Sequence, residues 1–525
     1  MASLKHYLLF LGMYGVGISL VLGWVVSLLI PNRYARQIDT LTKPLTYAAF
    51  IFTAACSVLY LFYPNFIDHL EPTITQITLI WMQGGDLYPL MDAPSMHGLL
   101  YGPALYWIQF PFLALGNDPI LSSKLPSVIA FNIAWCLLFF TYKNTLAKAY
   151  LLLLLPFNLI LFWNRAEPYF VLLVALAALI VERQPKYKVL LLGVLAGLAS
   201  SLKAHGILYI LPFLIFLGGH SLRTVAQFAV AFVVVCLSFF IDGGTSLLQY
   251  FEYLKLATKH GISFAYLEKN LFFLLFAWIP IALTFRCTTV SRYEAYRWTG
   301  VVLIEILVAI AGSKPGAGVH HLIPIVVLNS YLYEIQLRKI ENIEARFLGI
   351  KIGLAILALY VLSFVWKNIY DSEIKSASMI ESQRQATLEI QNFAKEYPSL
   401  LMGVTDKEND NYSLTFLRPY LITSAAPQFE YAGFMDLSYS GVSDQAFVAF
   451  LTACQNKFIA TPSHGVPFSI VNFYTNQPLF SEGVQNAFRS HYKAHHRGAF
   501  FTVYACREGR LEFHEPALEK LDKQN

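Results

Sequence analysis

The chain has 525 residues, 56% hydrophobic and only 14% charged, with a net charge of +5. Soluble domains run about 45–50% apolar and about 25% charged, so a wholly soluble fold is excluded and lipid must solvate much of the surface. Nucleic acid is not indicated as a partner, because the positive residues sit between apolar runs, as membrane topology requires.

A span needs roughly 20 apolar residues. The first run, 7–30, is long for a secretory signal and lacks a small-x-small cleavage pattern before Pro31-Asn32-Arg33, so we read it as a retained helix. Further spans are expected near 45–63, 122–141, 146–163, 168–182, 188–202, 206–219, 224–241, 270–286, 298–312, 321–337 and 347–366. The fold class is therefore an α-helical polytopic membrane protein of about 12–13 transmembrane helices. The stretch 99–116 contains Pro103 and Pro111 and reads as an interfacial helix or as a crossing.

Charge chooses between the two. Lys and Arg cluster at 31–44, 142–148, 183–188, 286–297 and 338–346, whereas 64–98 has neither. Cytoplasmic loops carry such an excess. All five clusters share one side only if 99–116 does not cross. The loops 64–121 and 242–269, the turns at 164–167, 203–205 and 313–320, and everything after 366 then lie outside. Glu305 falls within the 298–312 span, where a charge is usually functional or paired.

Two domains are expected: 1–366 in the membrane, and 367–525 as a soluble extracytoplasmic α/β domain. In the second, helices at 373–396, 444–455 and 481–492 alternate with strands at 399–404, 457–460 and 499–505. Six cysteines form no Cys-x-x-Cys pair, so a zinc or dithiol motif is unsupported. Cys454 and Cys506, the two in this domain, are either a disulfide or two buried thiols.

The candidate chemistry lies in the outer loops. Asp68 and Glu71 are three apart and share a helical face, where a carboxylate can take a proton from an attacking hydroxyl; the bland alternative is a helix cap. Arg165 has planar donors suited to phosphate, and the alternative is an interfacial arginine paired with Glu167. Lys203 closes another span, with interfacial anchoring as its alternative. In Gly312-Ser313-Lys314-Pro315-Gly316-Ala317-Gly318-Val319-His320-His321, small residues expose backbone N–H groups, and Lys314, His320 and His321 add donors and charge suited to phosphate. The loop 242–269 carries apolar residues at helical spacing and reads as an amphipathic helix on the membrane.

The order of pieces from Glu71-Pro72 through Gly85-Asp86 to Tyr101-Gly102-Pro103-Ala104-Leu105-Tyr106-Trp107, then Leu115-Gly116 and Ser123-Lys124-Leu125-Pro126-Ser127, resembles the GT-C superfamily of integral-membrane glycosyltransferases. Within it, the resemblance is to the protein O-mannosyltransferase and lipid A aminoarabinose transferase branch. It covers roughly 45–335 in layout and is sharpest over 66–127. It implies a polyprenyl-phosphate sugar donor, action on the extracytoplasmic face of the cell (inner) membrane, and substrate contacts from Asp86, Tyr88, His97, Tyr101 and Glu167. Two departures stand out. The acids are Asp68-x-x-Glu71 where the family often has adjacent ones. Tyr101-Gly102 stands where the branch tends to have a Lys, so a phosphate-binding cation must come from elsewhere, such as His97.

The reaction expected is a single inverting displacement by an acceptor hydroxyl of a lipid, glycan or protein. Asp68 or Glu71 acts as base, and Arg165, Lys203, Lys314, His320 and His321 hold the departing lipid phosphate. A divalent cation, Mg2+ or Mn2+, is an option at the acidic pair and not a requirement. The rivals are a lipid or polysaccharide transporter or flippase, against which no internal repeat is seen, and a non-catalytic assembly protein.

Overall fold

The computed structural model describes residues 18–20, 22–23, 25–26, 35–99, 101–157, 160–217, 221–340, 348–406, 417–422 and 429–507. The expected first span, 7–30, falls largely outside them. Two-thirds of the fold is a helical body: α1 (Ala35–Phe62), α2 (Leu70–Met82), α3 (Ala104–Leu115), α4 (Pro119–Thr141), α5 (Thr145–Tyr150), α6 (Glu167–Arg183), α7 (Lys188–Leu202), α8 (Ile207–Leu217), α9 (Leu222–Ser238), α10 (Leu247–Thr258), α11 (Phe264–Thr284), α12 (Arg292–Ala311) and α13 (Ile323–Leu337). Among the described residues, the segments Thr42–Phe62, Pro119–Thr141 and Phe264–Thr284 are long and apolar enough to cross a membrane, and several shorter apolar helices pack beside them. Ile51, Leu59 and Phe62 on α1, Ile133 and Phe140 on α4, and Val230 and Val234 on α9 are apolar yet exposed. Such faces need lipid or another protein to cover them.

Side-chain contacts fix the two ends of this body. At one end the backbone N–H groups of Lys143 and Asn144 donate to Glu334 at 3.1 Å each. Arg338 pairs with Glu182 at 2.8 Å and Lys339 with Glu294 at 2.8 Å. The basic loops 142–148, 183–188 and 286–297 and the described residues 338–340 thus share one end, as the charge count predicts for them. At the other end, α3 begins where Gly102 donates to the Leu202 carbonyl at 2.9 Å, closing α7. It finishes where Gly116 abuts Ser122 in the first turn of α4. Lys124 on α4 donates to the Asn65 carbonyl at 2.6 Å, just beyond α1. Both ends of α3 are therefore at the same level, and its 12 residues reach only about 18 Å at 1.5 Å per residue. The stretch 99–116 does not cross.

The helix α14 (Leu348–Glu396) runs 49 residues without a break through the expected junction at 366, and leads from the helical body into the C-terminal unit. There β1 (Leu401–Met402), β2 (Phe458–Pro462), β3 (Tyr492–Arg497) and β4 (Phe501–Cys506) form one sheet in the order β1-β2-β4-β3. The β1–β2 pair is parallel and the other two pairs are antiparallel. Around it lie α15 (Tyr431–Tyr439), α16 (Gln445–Thr452) and α17 (Glu482–His491). Cys454 and Cys506 form a disulfide, with Cα atoms 5.9 Å apart. The expected strands 457–460 and 499–505 and helices 444–455 and 481–492 are present with shifted ends. The helix 431–439 and the strand 492–497 were not anticipated.

This unit sits on the helical body at the end opposite the basic loops. Glu430 donates its backbone N–H to the Met96 carbonyl at 2.8 Å, and Gln76 of α2 donates to the Phe429 carbonyl at 3.2 Å. Lys259 and His260, just after α10, reach the C-terminal carbonyls of α15: Lys259 Nζ lies 3.2 Å from the Ser440 oxygen and His260 Nε2 3.2 Å from the Asp436 oxygen. Cationic or donor groups at a helix C-terminus satisfy its orphan carbonyls.

Candidate active site

Beneath the C-terminal unit, three outer turns bring charged side chains together. The turn before α6 carries Arg165 and Glu167. The turn after α7 carries Lys203 and His205. A short 3-10 turn, Val319–Leu322, carries His320 and His321. Lys203 Nζ donates to Glu167 Oε1 at 2.6 Å, and Arg165 Nε lies 3.4 Å from Glu167 Oε2. His320 Nε2 is 3.4 Å from Arg165 Nη2 and 3.9 Å from Glu167. His321 Nδ1 lies 3.2 Å from His205 Nε2. Tyr101 lies under the Lys203 ammonium, 4.8 Å from ring centroid to nitrogen, and is close enough to Arg165 to act on it electrostatically. All of these but His205 are nearly fully buried. Asp68 belongs to the same group, close enough to Arg165 and His320 to act on both electrostatically.

Electrostatics assigns the protons. Burial alone would raise the Glu167 carboxyl, but Lys203, Arg165 and His320 hold it well below the usual carboxylate range. Burial, reinforced by neighbouring Lys and Arg, pushes His205 and His320 down to about 3 and carries His321 well below its ordinary value. The histidines are therefore neutral at pH 7. They offer hydrogen bonds and not the positive charge expected from the sequence.

Lys314 differs from the other cations. Lys203 and Arg165 are taken up by Glu167, whereas among the described residues the Lys314 ammonium has no carboxylate within ion-pair distance. Its turn is rigid. Ser263 donates to the Ser313 carbonyl at 2.7 Å, and Asn270 Nδ2 donates to Ser313 Oγ at 3.0 Å. Gly316 has φ +77°, a left-handed conformation that glycine adopts without strain.

Glu71 stands apart. It is fully buried, and its carboxylate accepts from the Tyr60 hydroxyl, from the backbone N–H of Ile67 and Asp68 at 2.7 and 2.8 Å, and from Asn164 N–H at 3.3 Å. This carboxylate fastens the start of α2 and has no free face for a hydroxyl. The expectation that Glu71 shares the base role with Asp68 is corrected accordingly. Asp68 caps Leu70 N–H with one oxygen, at 3.0 Å.

Three other expected contacts do not join the cluster. Tyr88 is buried, donates to the Tyr101 carbonyl at 2.8 Å, and packs on Tyr250 and Tyr253 of α10. His97 turns to the Asp86 carbonyl at 2.9 Å, so it does not supply the missing cation. The Asp86 side chain is exposed. These residues shape the long first loop, which α10 clamps; Tyr101 and Asp68 of that loop belong with the cluster. Among the described residues, no three His, Cys, Asp or Glu side chains are gathered to hold a metal ion. Glu305, whose partner the sequence did not reveal, accepts from Trp278 Nε1 at 2.6 Å and lies 3.4 Å from Asn329 Nδ2.

No family model and no curated protein matches this sequence. The structure is similar to two crystal structures of ArnT from Cupriavidus metallidurans. The one bound to undecaprenyl phosphate has a TM-score of 0.48 at 12% identity, over 88% of this chain and 97% of that one. The apo state has 0.46 at 11% identity, over 87% and 97%. At such identities no residue role passes from one chain to the other, and the assignments below rest on this chain's own geometry.

One residue, Lys124, was missed as a site neighbour. Lys124 is fully buried and satisfied by the carbonyls of Asn65 and Tyr63 at 2.6 and 2.8 Å and by the Tyr60 ring. Asn164 ties α2 to the turn before α6 through Thr75 at 3.0 Å and Gln109 at 2.5 Å. A polar residue inside a span was the available signal for Lys124.

Proposed function

We propose that the protein is a membrane glycosyltransferase that moves a sugar from a polyprenyl-phosphate donor to an acceptor hydroxyl on the extracytoplasmic face. The observation that carries this reading is how the cations of the cluster are paired. Lys203 and Arg165 are both engaged by Glu167, whereas half-buried Lys314 has, among the described residues, no carboxylate within ion-pair distance and feels Asp436 only electrostatically. An ammonium so placed is a ready partner for phosphate oxygens, and a lipid phosphodiester would supply them.

In this mechanism Lys314 holds the phosphate, with Arg165 in reach of a second oxygen once Glu167 and His320 have aligned it. Asp68 accepts the acceptor's proton as the hydroxyl oxygen bonds to the anomeric carbon. The bond from that carbon to the phosphate oxygen breaks, its electron pair leaves with polyprenyl phosphate, and the anomeric configuration inverts. Neutral His320 donates a hydrogen bond without competing for the phosphate charge. Phosphate is a good leaving group, so no general acid is required. The acceptor hydroxyl belongs to a lipid, a glycan or a protein.

The test is transfer by purified protein from a labelled polyprenyl-phosphate sugar to a cell-envelope extract. Asp68→Asn should slow transfer by about 10²–10⁴-fold while still binding donor. Glu71→Gln should instead lower the melting temperature. Transfer that survives Asp68→Asn at full rate refutes the base assignment, and binding of the lipid without any transfer favours a transport role.

A further inference from the structure

Arg165 and Lys203 are buried, Lys314 is half-buried, and the C-terminal unit lies over the Lys314 turn. Tyr474 of that unit rests on the Lys314 turn. A Cβ added to Gly316 would come 2.5 Å from the Tyr474 hydroxyl. The same hydroxyl donates to Asp436 Oδ1 at 2.5 Å. Asp436 lies on α15 and is the carboxylate that acts most strongly on Lys314; both charges also act on His260. Helix α15 is held at its start by the Glu430 cap and the Glu430–Met96 backbone bond, at its C-terminal end by the donors of Lys259 and His260, and between them by buried Phe434 and Leu437. A lipid phosphate reaching Lys314 must therefore arrive where the Asp436 carboxylate already acts.

We propose that Asp436 competes with the donor phosphate for Lys314, so that lipid-phosphate binding and seating of helix 431–439 oppose each other. This rests on the lipid-phosphate reading above. Without ligand, Asp436 partly neutralises Lys314 and favours the seated cover. With phosphate on Lys314, Asp436 faces a like charge, and the cover loosens at the stage when acceptor must enter or product leave. Linkage makes the coupling reciprocal: the factor by which the seated cover weakens lipid-phosphate binding is the factor by which bound lipid phosphate weakens seating.

The experiment measures binding of a polyprenyl phosphate in detergent micelles, with the matching polyprenol as the phosphate-free control. Asp436→Asn keeps an oxygen for Tyr474 and removes only the charge. It should bind roughly three- to tenfold tighter, the size expected for one charge at close range in a partly wet site. Lys314→Ala should bind more weakly, and the gain from Asp436→Asn should vanish in the Lys314→Ala background, as a shared pairwise interaction requires. Hydrogen exchange on the wild-type protein supplies a second readout that needs no variant to fold: adding the lipid phosphate should speed exchange across 431–439. Equal or weaker binding by Asp436→Asn, or protection of 431–439 by ligand, overturns the competition and leaves the donor assignment standing. Failure of the wild type to prefer polyprenyl phosphate over polyprenol overturns the donor assignment itself.

Discussion

Lys203 and Lys314 are both lysines at the outer turns, yet their substitution should have opposite consequences. Lys203 is the buried partner of Glu167 at 2.6 Å. Removing it leaves the buried Glu167 carboxylate with the longer Arg165 contact, at 3.4 Å, and breaking a buried pair costs up to about 3–5 kcal/mol, so Lys203→Ala should lower the melting temperature. Among the described residues Lys314 has no carboxylate within ion-pair distance, so Lys314→Ala should lower the melting temperature far less than Lys203→Ala while lipid-phosphate binding falls about tenfold or more. Thermal melts beside binding curves check both. The histidines give a pH dependence. His205 and His320 are held near 3 by burial, against about 6.5 when unfolded. Between these values the unfolded chain takes up protons that the folded one refuses, so stability should fall as pH drops from about 7 to 5. Glu167, whose folded value is depressed, loses its contribution only below about 4.5, its unfolded range, so it does not shape that window. Melting from pH 7.5 to 5 should show the slope, and His320→Asn should flatten it. At this scale the sequence was partly legible. Arg165, Glu167, Lys203, Lys314 and the His pair were identifiable as charges stranded at span ends. That Glu71 is a lock and Asp68 faces the cations was not, because three residues' spacing places both acids on one face without saying which backbone N–H groups claim them.

Among the elements, α7 and α9 make the closest helix pair. Gly193 and Gly197 stand four apart on α7, and a Cβ at either would come within 2.6–2.7 Å of Phe228 or Val235 on α9. Small residues at this spacing let backbones approach in lipid, where no hydrophobic effect drives helices together. Gly193→Leu or Gly197→Leu should therefore cost about 1–3 kcal/mol through overpacking, read as a lower melting temperature in detergent, whereas Ile133→Leu on the exposed face of α4 should not. Helices of strong apolar pattern were legible from sequence because burial in lipid writes an unbroken run. The helix 431–439 was not, since its stability comes from the Glu430 cap, which accepts from Ala432 and Gly433, and from docking on the first loop. The strand 492–497 was missed for a related reason: it is an exposed edge, Lys493 to Arg497, with no apolar alternation to mark it.

For the whole molecule, the charge count and the contacts agree on a basic end and a site end. The extracytoplasmic assignment of the site end yields a labelling prediction. In a background lacking Cys56, Cys136, Cys236 and Cys287, a membrane-impermeant maleimide should label Gly243→Cys in intact cells, and Arg292→Cys only after permeabilisation. The reverse pattern would invert the topology and remove the lipid-linked donor face from the site. Layout was legible because 64–98 has no basic residue and the five basic clusters share one side only if 99–116 does not cross. The docking of the C-terminal unit over the cations was not, because Asp436 and Tyr474 lie more than a hundred residues beyond Lys314, and no local pattern reports so distant a contact.

The most direct test of the central claim is an electron cryomicroscopy structure with a polyprenyl-phosphate sugar bound. The account predicts phosphate oxygens about 2.7–3.2 Å from Lys314 Nζ, with the anomeric carbon turned toward Asp68. A lipid phosphate seated elsewhere, such as among Lys143, Arg338 and Lys339 at the opposite end, with Lys314 left facing Asp436, would contradict it.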